Sequence, residues 1–224
     1  MSALVGGHAA QNIVANMNVD PELRLKCLSI INRTMIITAH GQTYDIMNQL
    51  AKRPDPASIE RVLEWKTALY SFINPLHVGM VLAGADCHDT DAITPYALHA
   101  GKAFQIADDI LGIFGNEAML GKKPEDDIRE GKGTVLTAYA LEHTAPADRR
   151  FLQGCLGSST LTQVDFARCR KIIEQSGARK HAEQIAQRHS AAALAALKKE
   201  AHRWEKTRVG LLEYLTQVVI EREV

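Results

Sequence analysis

The sequence predicts an all-α protein, and three features of its 224 residues support that prediction. Apolar side chains recur at steps of three and four residues over long stretches, which is the period of an amphipathic helix. The alternation of apolar and polar residues that marks a strand is almost absent. Capping residues followed by proline punctuate the chain, as at Asp55-Pro56 and Thr94-Pro95. Because no repeat or Gly/Ser-rich linker interrupts the chain, residues 1–224 are expected to form a single helical domain.

The first long helix is predicted over residues 23–47, with its end before Pro54. Asp55 followed by Pro56 predicts the cap and the first turn of the next helix. Pro75 is expected to kink or break that helix, because proline lacks the backbone N–H and its ring crowds the preceding turn. The apolar stripe of the same helix consists of Val62, Trp65, Leu69 and Phe72.

The remaining elements are predicted from similar signals. A polar loop is expected over residues 86–91, and Thr94-Pro95 then predicts the start of a helix that reaches Gly115. Residues 116–133 combine glycine, proline and charged side chains without an apolar period, which predicts a loop. The helical pattern resumes after Thr134, after Pro146 and after Thr162, and it continues through residues 178–201 and 209–221.

Charge and cysteine content narrow the function classes. The formal net charge is zero and the pI is about 7.1, so no overall positive field favours a nucleic-acid partner. Residues 168–208 are locally basic, which predicts the solvated face of helices, with a weak membrane-surface contact as the alternative. The four cysteines show no paired spacing, so we expect reduced thiols and a cytoplasmic protein.

The most informative pattern is a pair of adjacent aspartates near the end of a predicted helix. Asp108 and Asp109 point about 100° apart, so both reach one hydrated cation that lies over the ridge between them. Mg²⁺ favours this arrangement of few carboxylates, retained waters and phosphate oxygens. Gln105 lies one turn before Asp109, and Lys122 and Lys132 follow with positive charge for a phosphate. The pattern predicts a magnesium-diphosphate site, although a solvated helix end beside a charged loop would also produce it.

Two further groups of residues are candidates for substrate contact. Lys66 and Thr67 lie on a mainly apolar helix, with Tyr70 one turn beyond. A buried lysine is costly unless an anion meets it, so Lys66 either faces such an anion or extends to solvent. Gln42 and Asp45 share one face of the first long helix. That pair either contributes to the same site or forms an interhelical hydrogen bond.

In this order, the motifs resemble those of the trans-type polyprenyl (isoprenyl) diphosphate synthases, such as farnesyl and geranylgeranyl diphosphate synthases. The matching motifs are Gly41-Gln42-x-x-Asp45, Lys66-Thr67-x-x-Tyr70, Gly101-x-x-Phe104-Gln105-x-x-Asp108-Asp109, and Gly121-Lys122 with Asp127 and Lys132. The resemblance extends over essentially the whole chain. It implies an isoprenoid-synthase-like helical bundle around a central cavity and a prenyltransferase that condenses isopentenyl diphosphate with an allylic diphosphate.

The resemblance also implies a role for each motif. Asp108 and Asp109 would bind the Mg²⁺ that bridges to the allylic diphosphate. The implied catalytic residues are Lys66, Thr67 and Gln105. The implied substrate-binding residues are Gln42, Lys66, Tyr70, Phe104, Lys122 and Lys132.

Two departures from the family pattern carry their own expectations. Position 112 is Gly where the second aspartate motif usually ends in a third acid, a feature shared with some relatives resembling geranylgeranyl synthases. The family's first Asp-Asp-x-x-Asp motif and the arginine pair that follows it have no counterpart. We therefore expect the N-terminal helices to be missing, an apolar face to be exposed or covered by a partner, and the isolated chain to turn over slowly.

The alternative function is a noncatalytic regulatory or structural subunit of a polyprenyl diphosphate synthase. The family resemblance implies a homodimer, or a heteromer with another synthase subunit. A terpene cyclase is disfavoured because the second metal motif of that class is absent from the sequence.

Overall fold

A computed structural model describes residues 2–51, 54–115 and 123–220, and within these ranges every regular element is helical. The all-α prediction is confirmed. The elements are α1 (Ser2–Ala15), α2 (Pro21–Leu50), α3 (Pro56–Arg61), a π-helix (Val62–Ile73), α4 (Asn74–Leu82), α5 (Cys87–Phe114), α6 (Asp126–Arg129), α7 (Val135–His143), α8 (Pro146–Cys155), α9 (Gln163–Gln175), α10 (Ala178–Glu200), a 3₁₀ turn (Ala201–Arg203) and α11 (Lys206–Ile220).

Side-chain caps begin several of the helices. The carboxylate of Asp55 accepts a hydrogen bond from the Ser58 backbone N–H at 3.0 Å and begins α3, as predicted. Thr162 and Asp165 form a reciprocal capping box at the start of α9. Thr134 caps α7 in the same way. These bonds satisfy backbone donors that have no partner within the helix.

The predicted start of α5 at Thr94-Pro95 is wrong, and so is the predicted loop over residues 86–91. α5 begins at Cys87, because the carboxylate of Asp86 accepts a hydrogen bond from the Asp89 backbone N–H at 3.0 Å. Pro95 therefore lies inside the helix, on its exposed side. The hydroxyl of Thr94 donates back to the Thr90 carbonyl at 2.7 Å instead of capping a new helix.

The expected break at Pro75 does not occur, because helical structure continues from α3 through the π-helix into α4. At the end of the π-helix the Asn74 N–H bonds to the Leu69 carbonyl, five residues back. The buried apolar side chains of this segment are Leu63, Ala68 and Ile73, spaced five residues apart. Because a π-helix has a wider turn, the buried face of this segment differs from the stripe that the sequence predicts, which consists of Val62, Trp65, Leu69 and Phe72.

The segment predicted as a loop contains a short helix among its described residues. α6 spans Asp126–Arg129, and Ile128 at its centre is completely buried in the core. Since an apolar side chain held in the core immobilises its neighbours, α6 keeps Asp127 in a defined position.

The core follows α5, which packs against the π-helix and α10. One apolar cluster surrounds the second half of α5 at Ile106 and Ile113 and includes residues of α7, α8, α9 and α10. A second cluster surrounds Ile93 and Tyr96 and includes the end of α10 and the start of α11. α5 is therefore buried along most of its length, which fixes the side chains it presents to the π-helix.

One face of α2 is apolar and exposed. Leu25, Ile36, Met47 and Leu50 are between 57% and 80% exposed. The residues of α2 that are buried instead are small or polar, namely Cys27, Thr34, Gly41, Asp45 and Asn48. Among the described residues, no helix combines the length and apolar character needed to cross a membrane.

A histidine pair at the α5–α10 interface makes stability depend on pH. The Nδ1 atoms of His99 and His189 are 2.9 Å apart, so one ring donates and the other accepts. Burial lowers the pKa of both imidazoles, and the charge of nearby Lys102 lowers them further, whereas Glu60 acts in the opposite direction. For His189, the charges of His99 and Arg188 also lower the pKa.

Because the folded-state pKa values lie below the unfolded value of about 6.5, the unfolded chain binds more protons. We expect the free energy of unfolding to fall as the pH drops from 7 through 6.5 and below. Thermal unfolding of the His189→Gln variant should show a weaker pH dependence than the parent. The exposed His88→Gln change is the control. An unchanged slope in His189→Gln would contradict the assignment.

Candidate functional site

The candidate site lies where α2, the π-helix, α5 and the segment after α6 meet, and two glycines allow that meeting. A Cβ on Gly41 of α2 would lie 2.7 Å from the backbone nitrogen of Lys66. A Cβ on Gly101 of α5 would lie 2.5 Å from the Cα of Ala68. Both distances are too short for real Cβ contacts, so only glycine lets the two helices approach the segment that carries Lys66 and Thr67.

A line of hydrogen bonds runs from the π-helix along α5. The Thr67 hydroxyl donates to Gln105 Oε1 at 2.7 Å, and Gln105 Nε2 donates to Asp109 Oδ1 at 2.9 Å. The predicted sharing of one face by Gln105 and Asp109 is confirmed. Since the amide both accepts and donates, its orientation is set by its two neighbours.

Two lysines of the site are each paired with a buried carboxylate. Lys66 forms a short ion pair with Asp45 of α2, which is 5% exposed. Lys132 Nζ lies 2.6 Å from Oδ1 of Asp127, which is 3% exposed. Lys66 therefore meets an anionic side chain of the protein itself, while its own side chain remains 35% exposed. The pairs hold both ammonium groups beside the same cavity.

The cavity between these residues has a volume of about 50 Å³. Its polar lining consists of Asp45, Lys66, Thr67, Gln105, Asp109, Lys132 and Thr134, and its apolar lining includes Ile59, Val62 and Leu63. Pockets that enclose an organic ligand usually measure about 300–1,000 Å³. The cavity bounded by the described residues is thus too small to enclose an organic ligand by itself.

The carboxylate of Asp109 is in an unusual electrostatic environment. Its pKa is raised to about 7, chiefly by burial and also by the negative charges of Asp127 and Asp108, while the hydrogen bond from Gln105 and the charge of Lys132 act in the opposite direction. Burial also opposes the charged form of Lys132, but the hydrogen bond and charge of Asp127 outweigh it and raise the pKa of the ammonium. Negative charge therefore exceeds positive charge around Asp109.

The site fits a hydrated divalent cation better than a metal held by protein ligands alone. Among the described residues no group of three or more His, Cys, Asp or Glu side chains is arranged to hold a metal. Asp108 is half-buried beside the fully enclosed Asp109, and a cation would relieve the repulsion among the local carboxylates. Mg²⁺ commonly binds through one or two carboxylates, with waters and phosphate oxygens as its other ligands.

The remaining predicted residues occupy different places. Tyr70 is 51% exposed and does not line the cavity. Phe104 packs against Phe72 with ring centroids 5.5 Å apart, next to the site. Gln42 Nε2 is 3.5 Å from the Asp45 carboxylate, behind the ion pair with Lys66. Lys122 lies outside the described residues.

Two acidic residues near the centre of the site had no assigned role in the sequence prediction. Asp45 and Asp127 both belong to the quoted motifs. Each forms an ion pair with a lysine at another position in the chain, Asp45 with Lys66 and Asp127 with Lys132. For Asp127 a sequence signal existed, because Lys132 is only five residues away. For Asp45 the partner is 21 residues away on another helix, so sequence spacing carried no signal.

Comparison with known proteins identifies the family. The model of the polyprenyl synthetase family matches residues 2–173. The chain is 32% identical over 199 residues to a geranylgeranyl diphosphate synthase of Saccharolobus solfataricus, covering 88% of this chain and 58% of that protein. It is also 32% identical over 197 residues to a (2E,6E)-farnesyl diphosphate synthase of Mycobacterium tuberculosis, covering 84% of this chain and 53% of that one.

Solved structures agree with these matches. A geranylgeranyl pyrophosphate synthase from Corynebacterium glutamicum, complexed with isoprenyl diphosphate and magnesium, superposes with a TM-score of 0.90 at 29% identity, covering 99% of this chain and 61% of that chain. A polyprenyl synthase from Caulobacter crescentus, complexed with calcium and isoprenyl diphosphate, has a TM-score of 0.80 at 30% identity, covering 89% and 60%. The chain spans somewhat more than half the length of these relatives, and it belongs to the polyprenyl synthetase family.

Proposed function

We propose that the chain acts in prenyl transfer, condensing isopentenyl diphosphate with an allylic diphosphate in the presence of Mg²⁺. The observation that carries this proposal is the convergence of two lysines and the Thr67–Gln105–Asp109 line on one cavity, with Asp108 adjacent to Asp109 in the sequence. Cations and hydrogen-bond donors beside a carboxylate pair suit a substrate whose leaving group is a diphosphate.

Each residue has a task in this proposal. Lys66 and Lys132 bind diphosphate oxygens and stabilise the negative charge that develops as the allylic C–O bond breaks. Thr67 and Gln105 orient the reacting end of the substrate. Mg²⁺ bound beside Asp108 and Asp109 would supply further positive charge to the leaving group.

The apolar part of the lining serves the carbon skeleton. Ile59, Val62 and Leu63 line the cavity, and Ile59 and Leu63 also belong to the core. An allylic cation reacts with any water that reaches it, so an apolar wall next to the reacting carbons favours attack by the isopentenyl double bond over hydrolysis.

Other parts of the proposal concern partners and location. We expect the chain to function as a homodimer, or as a heteromer with another synthase subunit. The cytoplasmic location is supported by four cysteines that are all free thiols. A noncatalytic subunit role is not favoured, since the relatives are named as synthases and the chain retains Lys66, Lys132, Asp108 and Asp109. Lys122, Tyr70 and Phe104 remain proposed substrate contacts.

The test uses the purified chain with Mg²⁺, labelled isopentenyl diphosphate and, in separate reactions, dimethylallyl, geranyl or farnesyl diphosphate. We expect Mg²⁺-dependent binding of an allylic diphosphate by calorimetry and slow formation of an extended prenyl product. Chelation of Mg²⁺ and the Asp109→Asn variant should each abolish the product. Absence of both binding and product with all three allylic diphosphates would contradict the proposal.

A further inference from the structure

Lys102 of α5 is a buried charge that the proposed chemistry does not use. Its side chain is 5% exposed, and it is not one of the residues that line the cavity. Burying an ammonium group costs free energy unless carboxylates or other acceptors meet it. An apolar side chain at this position would avoid that cost, so the contacts of the ammonium group must compensate for it.

Two carboxylates from one neighbouring segment meet the ammonium group. Lys102 Nζ donates to Oε1 of Glu60 at 2.6 Å and to Oε2 of Glu64 at 3.1 Å. Burial opposes the charged form of Lys102, but the hydrogen bonds and charges of the two glutamates outweigh it and raise the pKa of the ammonium. The glutamate side chains reach solvent, being 52% and 40% exposed. Lys102 is therefore the buried member of the group, and it joins α5 to the opposite segment.

The two glutamates lie on either side of the point where the helix type changes. Glu60 belongs to α3, and Glu64 belongs to the first turn of the π-helix. At the junction, Arg61 and Val62 have ordinary right-handed helical dihedral angles, and no side-chain hydrogen bond caps the π-helix. Residues 57–73 contain no glycine or proline. Since π-helical turns are rare and nothing local starts one here, contacts with other helices must hold this segment.

The contact with Lys102 is in step with a hydrogen bond of the candidate site. Glu64 and Lys102 are 38 residues apart in sequence, and so are Thr67 and Gln105, whose side chains bond at 2.7 Å. Three residues along each helix therefore lead from the first contact to the second. A rotation of the π-helix that separated Glu64 from Lys102 would also move Thr67 away from Gln105, and it would turn Lys66 relative to the cavity.

Other contacts hold the same segment in different ways. Close backbone contact at Gly41 and Gly101 determines how near the π-helix lies to α2 and α5. The relative rotation of two packed helices depends instead on the side chains that interlock between them. On the side of α2, the exposed Arg61 lies over the ring of Tyr44, 5.2 Å from its centroid. On the side of α5, the ion pairs of Lys102 hold the start of the segment at a buried position.

We propose that Lys102 is a positioning residue that fixes the rotation of the π-helix against α5 by holding Glu60 and Glu64. The π-helix, held in this way, presents Lys66 and Thr67 to the cavity. The effect on turnover rests on the proposed function, whereas the effect on the position of the π-helix does not depend on it.

Trp65 reports the position of the π-helix without substrate or turnover. It belongs to that helix, and its ring packs against Tyr44 of α2 with centroids 5.7 Å apart. The sequence has one other tryptophan, so a Trp204→Phe background leaves a single emitter. In that background, Lys102→Met is expected to shift the Trp65 emission to longer wavelength and to increase its quenching by iodide, because the rotated ring loses its contact with Tyr44.

The second readout is prenyl transfer with Mg²⁺, isopentenyl diphosphate and dimethylallyl diphosphate. Lys102→Met should lower kcat/KM by about 10²-fold, an effect that a misplacement of about 1 Å can produce. Ile172→Val is the control for a general weakening of the fold, because Ile172 is buried in α9 and does not line the cavity. It should leave both kcat/KM and the Trp65 emission unchanged.

A triple variant separates position from stability. Lys102→Met/Glu60→Gln/Glu64→Gln leaves no unpaired charge, and replacing a buried ion group by uncharged residues of similar volume is often neutral or stabilising. We expect its urea midpoint to equal or exceed that of Lys102→Met, while the emission stays shifted and kcat/KM stays low. If Lys102→Met does not fold, as judged by circular dichroism, the triple variant carries both readouts.

Three results would overturn the inference. The parent emission in a folded Lys102→Met protein would show that the lysine does not hold the π-helix. Recovery of the parent emission and kcat/KM in the triple variant would show that it contributes stability alone. A shifted emission with unchanged kcat/KM would break the link to the cavity. If the parent forms no product, the proposed function fails, and the Trp65 emission still decides whether Lys102 positions the π-helix.

Discussion

Replacing Lys66 with methionine is expected to lower kcat/KM for prenyl transfer by about 10²–10³-fold, the usual effect of removing one positioned group that stabilises developing charge. Lys66 is held beside the cavity by its ion pair with the buried Asp45. Methionine has a similar length but no charge. The leaving diphosphate would therefore lose a fixed cation at the moment when its negative charge develops.

The matched control is Lys26→Met, which removes the same charge from α2. Lys26 is exposed and pairs with Glu22 one turn away at 2.9 Å, far along the helix from Asp45. It should leave both turnover and allylic diphosphate affinity unchanged. Calorimetry with the allylic diphosphate and Mg²⁺ provides a readout where turnover is slow. Equal values for the two variants would show that Lys66 does not contact the diphosphate.

Replacing Gly101 with alanine is expected to reduce the free energy of unfolding by about 1–3 kcal/mol, the range for an extra group forced into a packed interior. The new Cβ would lie 2.5 Å from the Cα of Ala68 and 2.7 Å from its Cβ. Since the first of these atoms is backbone, the π-helix and α5 must move apart. That movement should also lengthen the Thr67–Gln105 hydrogen bond and lower activity beyond the loss of folded protein.

Gly79→Ala is the matched control for that prediction. Gly79 is also helical, in α4, but nothing lies within 4 Å of a Cβ added there. Alanine should stabilise this exposed helical position by about 0.5–1 kcal/mol, because glycine loses more backbone freedom on folding. Urea unfolding followed by circular dichroism measures both variants. A Gly101→Ala protein as stable as Gly79→Ala would mean that the helices do not contact as described.

The helix boundaries that the sequence predicted correctly are those set by interactions within a few residues. Asp55 and Thr162 each bond to a backbone N–H three residues later, so the signal and its effect lie within one short window. The start of α5 was missed because two cap-like signals compete there. Asp86 begins the helix eight residues before Thr94, and Pro95 is accommodated on an exposed face.

The π-helix could not be predicted from the three- and four-residue spacing of apolar side chains, which indicates an α-helix. Its register depends on close backbone contact with α2 at Gly41 and with α5 at Gly101, and both contacts join residues distant in sequence. The wider turn also explains the position of Tyr70. The wider turn places Tyr70 at a different angle around the helix axis from the one an α-helix would give, and its side chain is 51% exposed.

The sequence by itself determined the all-α class, the helix caps at Asp55 and Thr162 and the alignment of Gln105 with Asp109, because each follows from chain-local geometry. The family motifs also contain Lys66, Lys132, Asp108 and Asp109, which are the proposed site residues. Only the tertiary structure decided that Lys66 meets Asp45 and that the Asp127 carboxylate lies against Gly112. These contacts join separate segments of the chain, and their distances depend on how closely backbones pack, which the periodicity of a sequence does not show.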